Sequence, residues 1–412
     1  MLASPVTFPI ASLAVPLSGA LASLLPVAYA VVTAERRQRF AQQAPPRPPS
    51  RRPTGGARTV RVLNWNLLHA RRDNDVRLEI VARALEAKQP DVVALQEVSQ
   101  SWLIQRVNRA KVLATRLGFA WRYRGTNGIP KVWEEGLAIL ARRPIIKTSR
   151  RRLDGSCPRP LNARQVLIGE TRLEDGTPFA VASVHLSFSQ GGDVENLEQA
   201  LDATDLVSRE ALARGIPAVL VGDLNAPAGA LAVRALTTGD ILGGDAPFVD
   251  AWAAVGSGAG VTSTPLNPYT DAPADPPQRI DYVLVLQGTR PLVTPVEARV
   301  IGDRPTEEGV YGSDHFGLVV DLELRSPPTA GGHSQEHDAR ATAQELCARI
   351  ARVRSKIRAL RKEARSELVR ARRPLRYDQT GGCPGAASTQ WLREATLAKV
   401  RAAFGPIPHV TE

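Results

Sequence analysis

Cysteine is scarce. Cys157, Cys347 and Cys383 are the only three in 412 residues. They are too far apart for a zinc pattern and too few for a disulfide framework. A small domain stapled by disulfides is thereby excluded, and a reducing compartment is favoured. Charge is missing altogether from residues 1–34, after which Glu35-Arg36-Arg37-Gln38-Arg39 follows. An apolar run of this length can span a bilayer, although Pro16 and Pro26 interrupt it. Ala28-Tyr29-Ala30 looks like a signal-peptidase site, yet the charged segment that should precede the apolar run is absent. The downstream arginines favour keeping the following chain in the cytoplasm, with membrane tethering or export as alternatives. A translation start further in is the third reading. No internal sequence repeat is present.

A negative excess is also lacking: the formal charge is +12. That suggests a nucleic-acid binder until the charge is located. Residues 1–58 hold seven Arg against one Glu, and residues 326–412 hold 16 Lys+Arg against 8 Asp+Glu. Residues 59–325 are nearly neutral, with 30 Lys+Arg against 32 Asp+Glu. The basic excess therefore lies outside the stretch that carries the motifs, and says little about what that stretch prefers. Within it, residues 101–150 are basic, with eleven Lys+Arg against Glu134 and Glu135, and Trp121, Tyr123 and Trp133 interleaved. Such a segment is either a phosphate-backbone and base-stacking surface or an ordinary solvated helix and loop with its aromatics in the core.

What is present is a recurring pattern of an apolar run that meets a polar group. In Val219-Leu220-Val221-Gly222-Asp223-Leu224-Asn225-Ala226-Pro227, three apolar β-formers lead to Asp223 and Asn225. Alternation along a strand points these two the same way at its mouth. Gly222 permits a close backbone approach, and Pro227 stops the ladder. The same pattern ends in Asn66 (VRVLNWN), in Glu97 (DVVALQE) and in His185 (FAVASVH). Asp281 opens IDYVLV, and Ser313-Asp314-His315 precedes the strand-like LVVDL.

Between these runs, Val76, Ile80, Val81, Ala84 and Leu85 sit at helical spacing, and a second helix is expected over about 101–117 with Trp102 and Ile104 inside. Glu174-Asp175-Gly176 predicts a hairpin between strands at 164–173 and 178–186. A helix is expected near 195–213. The chain divides into an apolar segment 1–34, a basic Pro-rich linker 35–58, a domain 59–325 and a basic helical tail 326–412. Hairpins mixed with helices make the domain α+β, a mixed α/β class with largely antiparallel sheets. In the tail, Leu346, Ile350, Val353, Ile357, Leu360 and Ala364 form a heptad stripe. That stripe serves either self-association with a twin or packing on the domain or on a second helix over Trp391 to Phe404. His333, His337 and His409 read as solvated bystanders, and His69 as a loop residue.

Residues 59–325 resemble the endonuclease/exonuclease/phosphatase superfamily, the deoxyribonuclease-I-like hydrolases. The resemblance is carried by Asn66 in NWN, Glu97 in LQEV, GLAILARRPI at 136–145, His185 in VHL, GDLNAP at 222–227, RIDYVLV at 279–285 and SDHFGL at 313–318. It implies a four-layer α/β/β/α sandwich of two mostly antiparallel sheets, with the helical tail outside it. It also implies a phosphoester hydrolase dependent on Mg2+, with Mn2+ as the alternative ion. Glu97 would be the direct metal ligand, helped by Asn66 and Asp314. Asp223 would orient and deprotonate water, Asn225 would hold the scissile phosphate, and His315, held by Asp281, would stabilise the transition state. His185 would bind the phosphate or protonate the leaving oxygen, and Arg164 would steady the acids by an ion pair. A nuclease-type phosphodiesterase acting on nucleic acid is the leading expectation. Phospholipid head groups or small phosphate esters are the alternative substrates, with membrane association through residues 1–34. A catalytically decayed binding protein is the third reading.

Overall fold

A computed structural model describes residues 58–69, 73–101, 107–129, 132–153, 163–188, 193–271, 275–289, 292–325, 332–370 and 390–405. The apolar segment, the linker up to residue 57, Trp102, Ile104, Cys157, Cys383 and His409 lie outside them. No helix among the described residues is long and apolar enough to cross a membrane.

Two sheets form the centre. The first contains β1 (Arg58–Asn66), β2 (Val92–Ser101), β3 (Val107–Asn108), β4 (Ala120–Ile129), β5 (Trp133–Ala141), β12 (Leu292–Ile301) and β13 (Gly317–Arg325), in the order β12-β13-β1-β2-β5-β4 with β3 beside β2. The second contains β6 (Ile145–Arg152), β7 (Gln165–Arg172), β8 (Pro178–His185), β9 (Ala218–Asp223), β10 (Phe248–Asp250) and β11 (Asp281–Leu286), in the order β10-β11-β9-β8-β7-β6. Each sheet has one parallel pair, β1 with β2 and β8 with β9, and is otherwise antiparallel.

Period-two alternation explains how the sheets stack. Val60 and Val62 of β1, Val92 and Ala94 of β2, Val219 and Val221 of β9 and Val283 and Val285 of β11 meet in one core between the sheets. The alternate residues point outward. Leu63, Trp65, Val93 and Leu95 pack under α1 (Asn74–Lys88) and α2 (Arg109–Leu117). Leu220, Tyr282 and Leu284 pack under α3 (Asp193–Glu210) and α4 (Leu231–Thr237). A short α5 (Ala251–Val255) follows β10. Three cores separate four layers, which is the α/β/β/α sandwich expected above.

Some local expectations change. The helix expected from about 101 starts only at Arg109, because β2 runs on to Ser101 and pairs there with Val107 of β3. Val76 lies on the solvent side of α1; Leu78, Val81, Ala82 and Leu85 make its buried face. β12 and α4, for which no element was expected above, fill the sheet edge and the outer layer. The tail forms α6 (Gly332–Arg370) and α7 (Gln390–Phe404). Its stripe folds back on the domain: Leu346, Ile350, Val353 and Ile357 join the core under α3, while Ala364 and Leu368 meet Leu392 of α7. Ion pairs of Arg354 with Asp202, and of Arg361 with Glu198 at 2.6 Å, fasten α6 to α3.

Candidate active site

The apolar layer between the sheets turns polar at one end. Continuing each inward-facing register past its last valine gives Asn64 and Asn66 on β1, Gln96 on β2, Ser183 and His185 on β8, Asp223 on β9 and Asp281 on β11. The parallel pairs β1–β2 and β8–β9 end at this edge, and their antiparallel neighbours β13 and β11 begin there. Register brings Asp223 opposite Asp281 on one side and His185 on the other. Gly222 fits because a Cβ there would stand 2.0 Å from the Val184 carbonyl oxygen. The close approach expected at this glycine is therefore that of β8.

Glu97 has the wrong parity for this face. A register shift between Leu95 and Val98, with φ of 50° at Glu97, turns its side chain inward. Asn66 Nδ2 donates to Glu97 Oε1 at 3.1 Å and to Asp223 Oδ2 at 3.0 Å, while its Oδ1 accepts from the Leu68 amide at 3.0 Å. Coordination through Asn66 oxygen would require the amide to turn over. Asn225, at φ 47°, donates its amide to Asp223 Oδ1 at 2.8 Å and its Nδ2 to the Leu186 carbonyl at 3.0 Å.

His315 Nδ1 lies 2.8 Å from Asp281 Oδ2, and Asp281 Oδ1 accepts from Asn64 Nδ2 at 3.1 Å. Asp223 Oδ2 stands 3.5 Å from His185 Nε2 and 3.8 Å from His315 Nε2. Asp223, His185 and His315, with Glu97, Asn225, Asp314 and Arg164, line one cavity of about 330 Å3, and Asn66 and Asp281 are hydrogen-bonded to them from behind its wall. All nine residues given a role from the sequence lie at one end of the sandwich.

Electrostatics divides their tasks. Burial, opposed by the His315 imidazole and aided by Asp281, pushes the Asp223 carboxyl up to about 7. Burial would lower His315, but Asp281, Asp223 and Asp314 outweigh it and hold the imidazole well above its ordinary value. Burial and the Arg164 guanidinium hold His185 well below its ordinary value, so it is neutral near pH 7. Burial and Glu97 raise Glu135. Burial also raises Asp314, with the Glu97 charge adding to it and His315 opposing. Burial would raise Glu97, but its bond to His69, the nearby His185 and the Asn66 amide hold it well below the usual carboxylate range.

His69, read above as a loop residue, belongs to the site: its Nδ1 is 2.9 Å from Glu97 Oε2 and 3.4 Å from Glu135 Oε2. Glu135 was also missed; the Glu-Glu pair before GLAIL is the one sequence signal that could have marked it. The carboxylates of Glu97, Glu135 and Asp314 line the same cavity and make a donor set suited to a hard divalent cation. One ligand atom from each of His69, Glu97 and Glu135 lies within 4.8 Å of the others. Asp223, Asp281 and His315 satisfy the same distance, but His315 is already engaged by Asp281 there.

Known structures share this fold. An endonuclease/exonuclease/phosphatase from Beutenbergia cavernae superposes with a TM-score of 0.52 at 21% identity, covering 68% of this chain and 76% of that one. A family protein from Leptotrichia buccalis gives 0.51 at 22%, covering 64% and 100%. Humanized D. rerio TDP2 gives 0.50 at 18%, covering 64% and 98%. No curated protein matches the sequence. The sequence profile of the Endonuclease/Exonuclease/phosphatase family matches residues 63–315, which runs from the middle of β1 to His315. The chain belongs to that family.

Proposed function

We propose that this protein is a divalent-metal-dependent phosphodiesterase of nuclease type. The observation that carries the reading is that Asp223, a carboxylate poised near neutrality, and His315, an imidazole held charged by Asp281, line one cavity together with Glu97 and Asp314. Mg2+, or Mn2+, held by Glu97 and Asp314 with Asn66 beside them, would neutralise the anionic phosphate oxygens that otherwise repel a nucleophile. Asp223 orients a water and takes its proton as the water oxygen bonds to phosphorus. Asn225 and the neutral His185 hydrogen-bond the phosphate. His315, oriented by Asp281, stabilises the charge on the phosphate oxygens and carries a proton to give the departing ester oxygen. Positioned acid–base groups of this kind typically contribute about 10²–10⁴-fold each.

Nucleic acid as substrate rests on the edge strand β4. Many basic residues of 101–150 have internal partners: Arg109 holds backbone carbonyls, Arg116 pairs with Glu79 and Glu86, and Arg142 pairs with Asp91. Arg122 and Arg124 stay exposed on β4, leading to Asn127 at the cavity wall, as a chain of phosphates would require. A second reading, hydrolysis of phospholipid head groups, is favoured by Phe188 at the cavity rim, which is 60% exposed. The test is turnover by the full chain and by Asp223→Asn on single- and double-stranded DNA, RNA, sphingomyelin and phosphoinositides. Magnesium-dependent cleavage of DNA or RNA, lost in Asp223→Asn, is expected. Cleavage confined to the lipids would replace the nuclease reading with the second.

A further inference from the structure

Two arginines outside the catalytic set are buried against the metal end of the site. Arg77 of α1 is 0% exposed and Arg109 of α2 is 3% exposed. Both aim at the same two peptide groups. Arg77 Nη2 donates to the carbonyls of Leu67 and Leu68, at 2.6 Å each, and Arg109 Nη1 donates to them at 3.1 and 2.9 Å. Arg77 Nε also donates to the Gly312 carbonyl at 3.3 Å, two residues before Asp314. The Tyr269 ring covers the Arg77 guanidinium at 5.3 Å, and Tyr269 Oη donates to Asp73 at 2.8 Å.

Sinking a guanidinium is costly even with the Asp314 and Glu97 charges nearby to offset part of the burial, and an apolar side chain would suit the helix interface better. The return lies in what the carbonyls control. With both drawn toward α1 and α2, the amides of Leu68 and His69 face the opposite way, onto Asn66 Oδ1 at 3.0 Å and Glu97 Oε2 at 3.2 Å. Leu68 sits at φ 45°, a strained conformation for a non-glycine residue that persists only where its surroundings over-determine it. Arg77 thus ties together the loop that follows Asn66 and carries His69 and the loop that leads into Asp314.

We propose that Arg77, backed by Arg109, is the positioning residue for the metal end of the site, fixing Asn66, His69, Glu97 and Asp314 relative to one another. This rests on the metal-dependent reading above. The test is Mg2+ titration calorimetry on the full chain and on Arg77→Lys, Arg77→Gln and Arg109→Lys, with thermal midpoints measured in EDTA. Partners that orient metal ligands typically matter by about 10–100-fold in affinity. Mg2+ binding should weaken by at least about 10-fold in Arg77→Gln and by less in Arg77→Lys and Arg109→Lys. A merely structural arginine would lower the EDTA midpoint and leave the Mg2+ affinity of the folded protein unchanged. That result in folded Arg77 variants overturns the proposal; should they not fold, unchanged affinity in Arg109→Lys overturns it. Absence of Mg2+ binding by the unmutated chain overturns the metal-dependent reading itself, and this inference with it.

Discussion

The bond between Asp281 and His315 offers the sharpest perturbation. Asp281 is fully buried, its Oδ2 is 2.8 Å from His315 Nδ1, and its Oδ1 accepts from Asn64. Asp281→Asn keeps shape and removes the charge. An opposite charge at this range typically moves a pKa by about 1–3 units, or roughly 1.4–4 kcal/mol between the two protonation states. Asp223 and Asp314 remain, so His315 should fall part of the way back toward its ordinary value. In a pH–rate profile at saturating Mg2+, kcat/KM should drop about 10²–10⁴-fold. The alkaline limb, where His315 loses its proton, should move to lower pH. Stability changes with the same sign. A raised imidazole pKa stabilises the fold fully below its unfolded value and ceases to do so as pH rises through the folded value. Asp281→Asn should therefore destabilise more at mildly acidic than at alkaline pH, read by urea unfolding at both. An unmoved alkaline limb with kcat/KM within about threefold of the unmutated protein would refute the assignment of His315 as the charged donor.

Other substitutions test other parts. In the unmutated protein the acid limb of the pH–rate profile should lie near 7, because the Asp223 carboxylate acts only when ionised and its pKa is raised; Asp223→Asn should show no turnover at any pH of that profile. Glu97→Gln should weaken Mg2+ binding while leaving the EDTA melting temperature close to normal, as calorimetry and thermal melts would show. Gly222→Ala drives a Cβ to 2.0 Å from the Val184 carbonyl and should destabilise by about 1–3 kcal/mol or more in urea unfolding. Ile357→Ala, at a fully buried position of the α6 stripe that joins the domain core, should cost about 2–5 kcal/mol in urea unfolding.

How far the sequence was legible depended on whether one strand's register carried the signal. Asn66, His185, Asp223 and Asp281 continue the inward parity of their own strands, so local alternation sufficed to suggest a shared face. Glu97 was recognised from its motif, but its turn inward needs a bulge and positive φ that alternation cannot foresee. Nothing in the local sequence marks Arg77, and its burial appears only when α1 is seated under the loops at 67–68 and 312. His69 and Glu135 meet across 66 residues of sequence, a contact no local pattern encodes. The tail stripe was plain, but its partner α3 could not be chosen over a twin helix without the ion pairs of Glu198 and Asp202.

The central claim is that a divalent cation and Asp223 act together on a phosphodiester in this cavity. Hydrolysis of bis(p-nitrophenyl) phosphate by the purified full chain, followed through EDTA removal and stepwise Mg2+ return, tests it most directly. Activity should vanish with EDTA, recover in a saturable fashion with Mg2+, and stay absent in Asp223→Asn at every Mg2+ concentration. Turnover that persists through chelation, or that Asp223→Asn retains, would contradict the account.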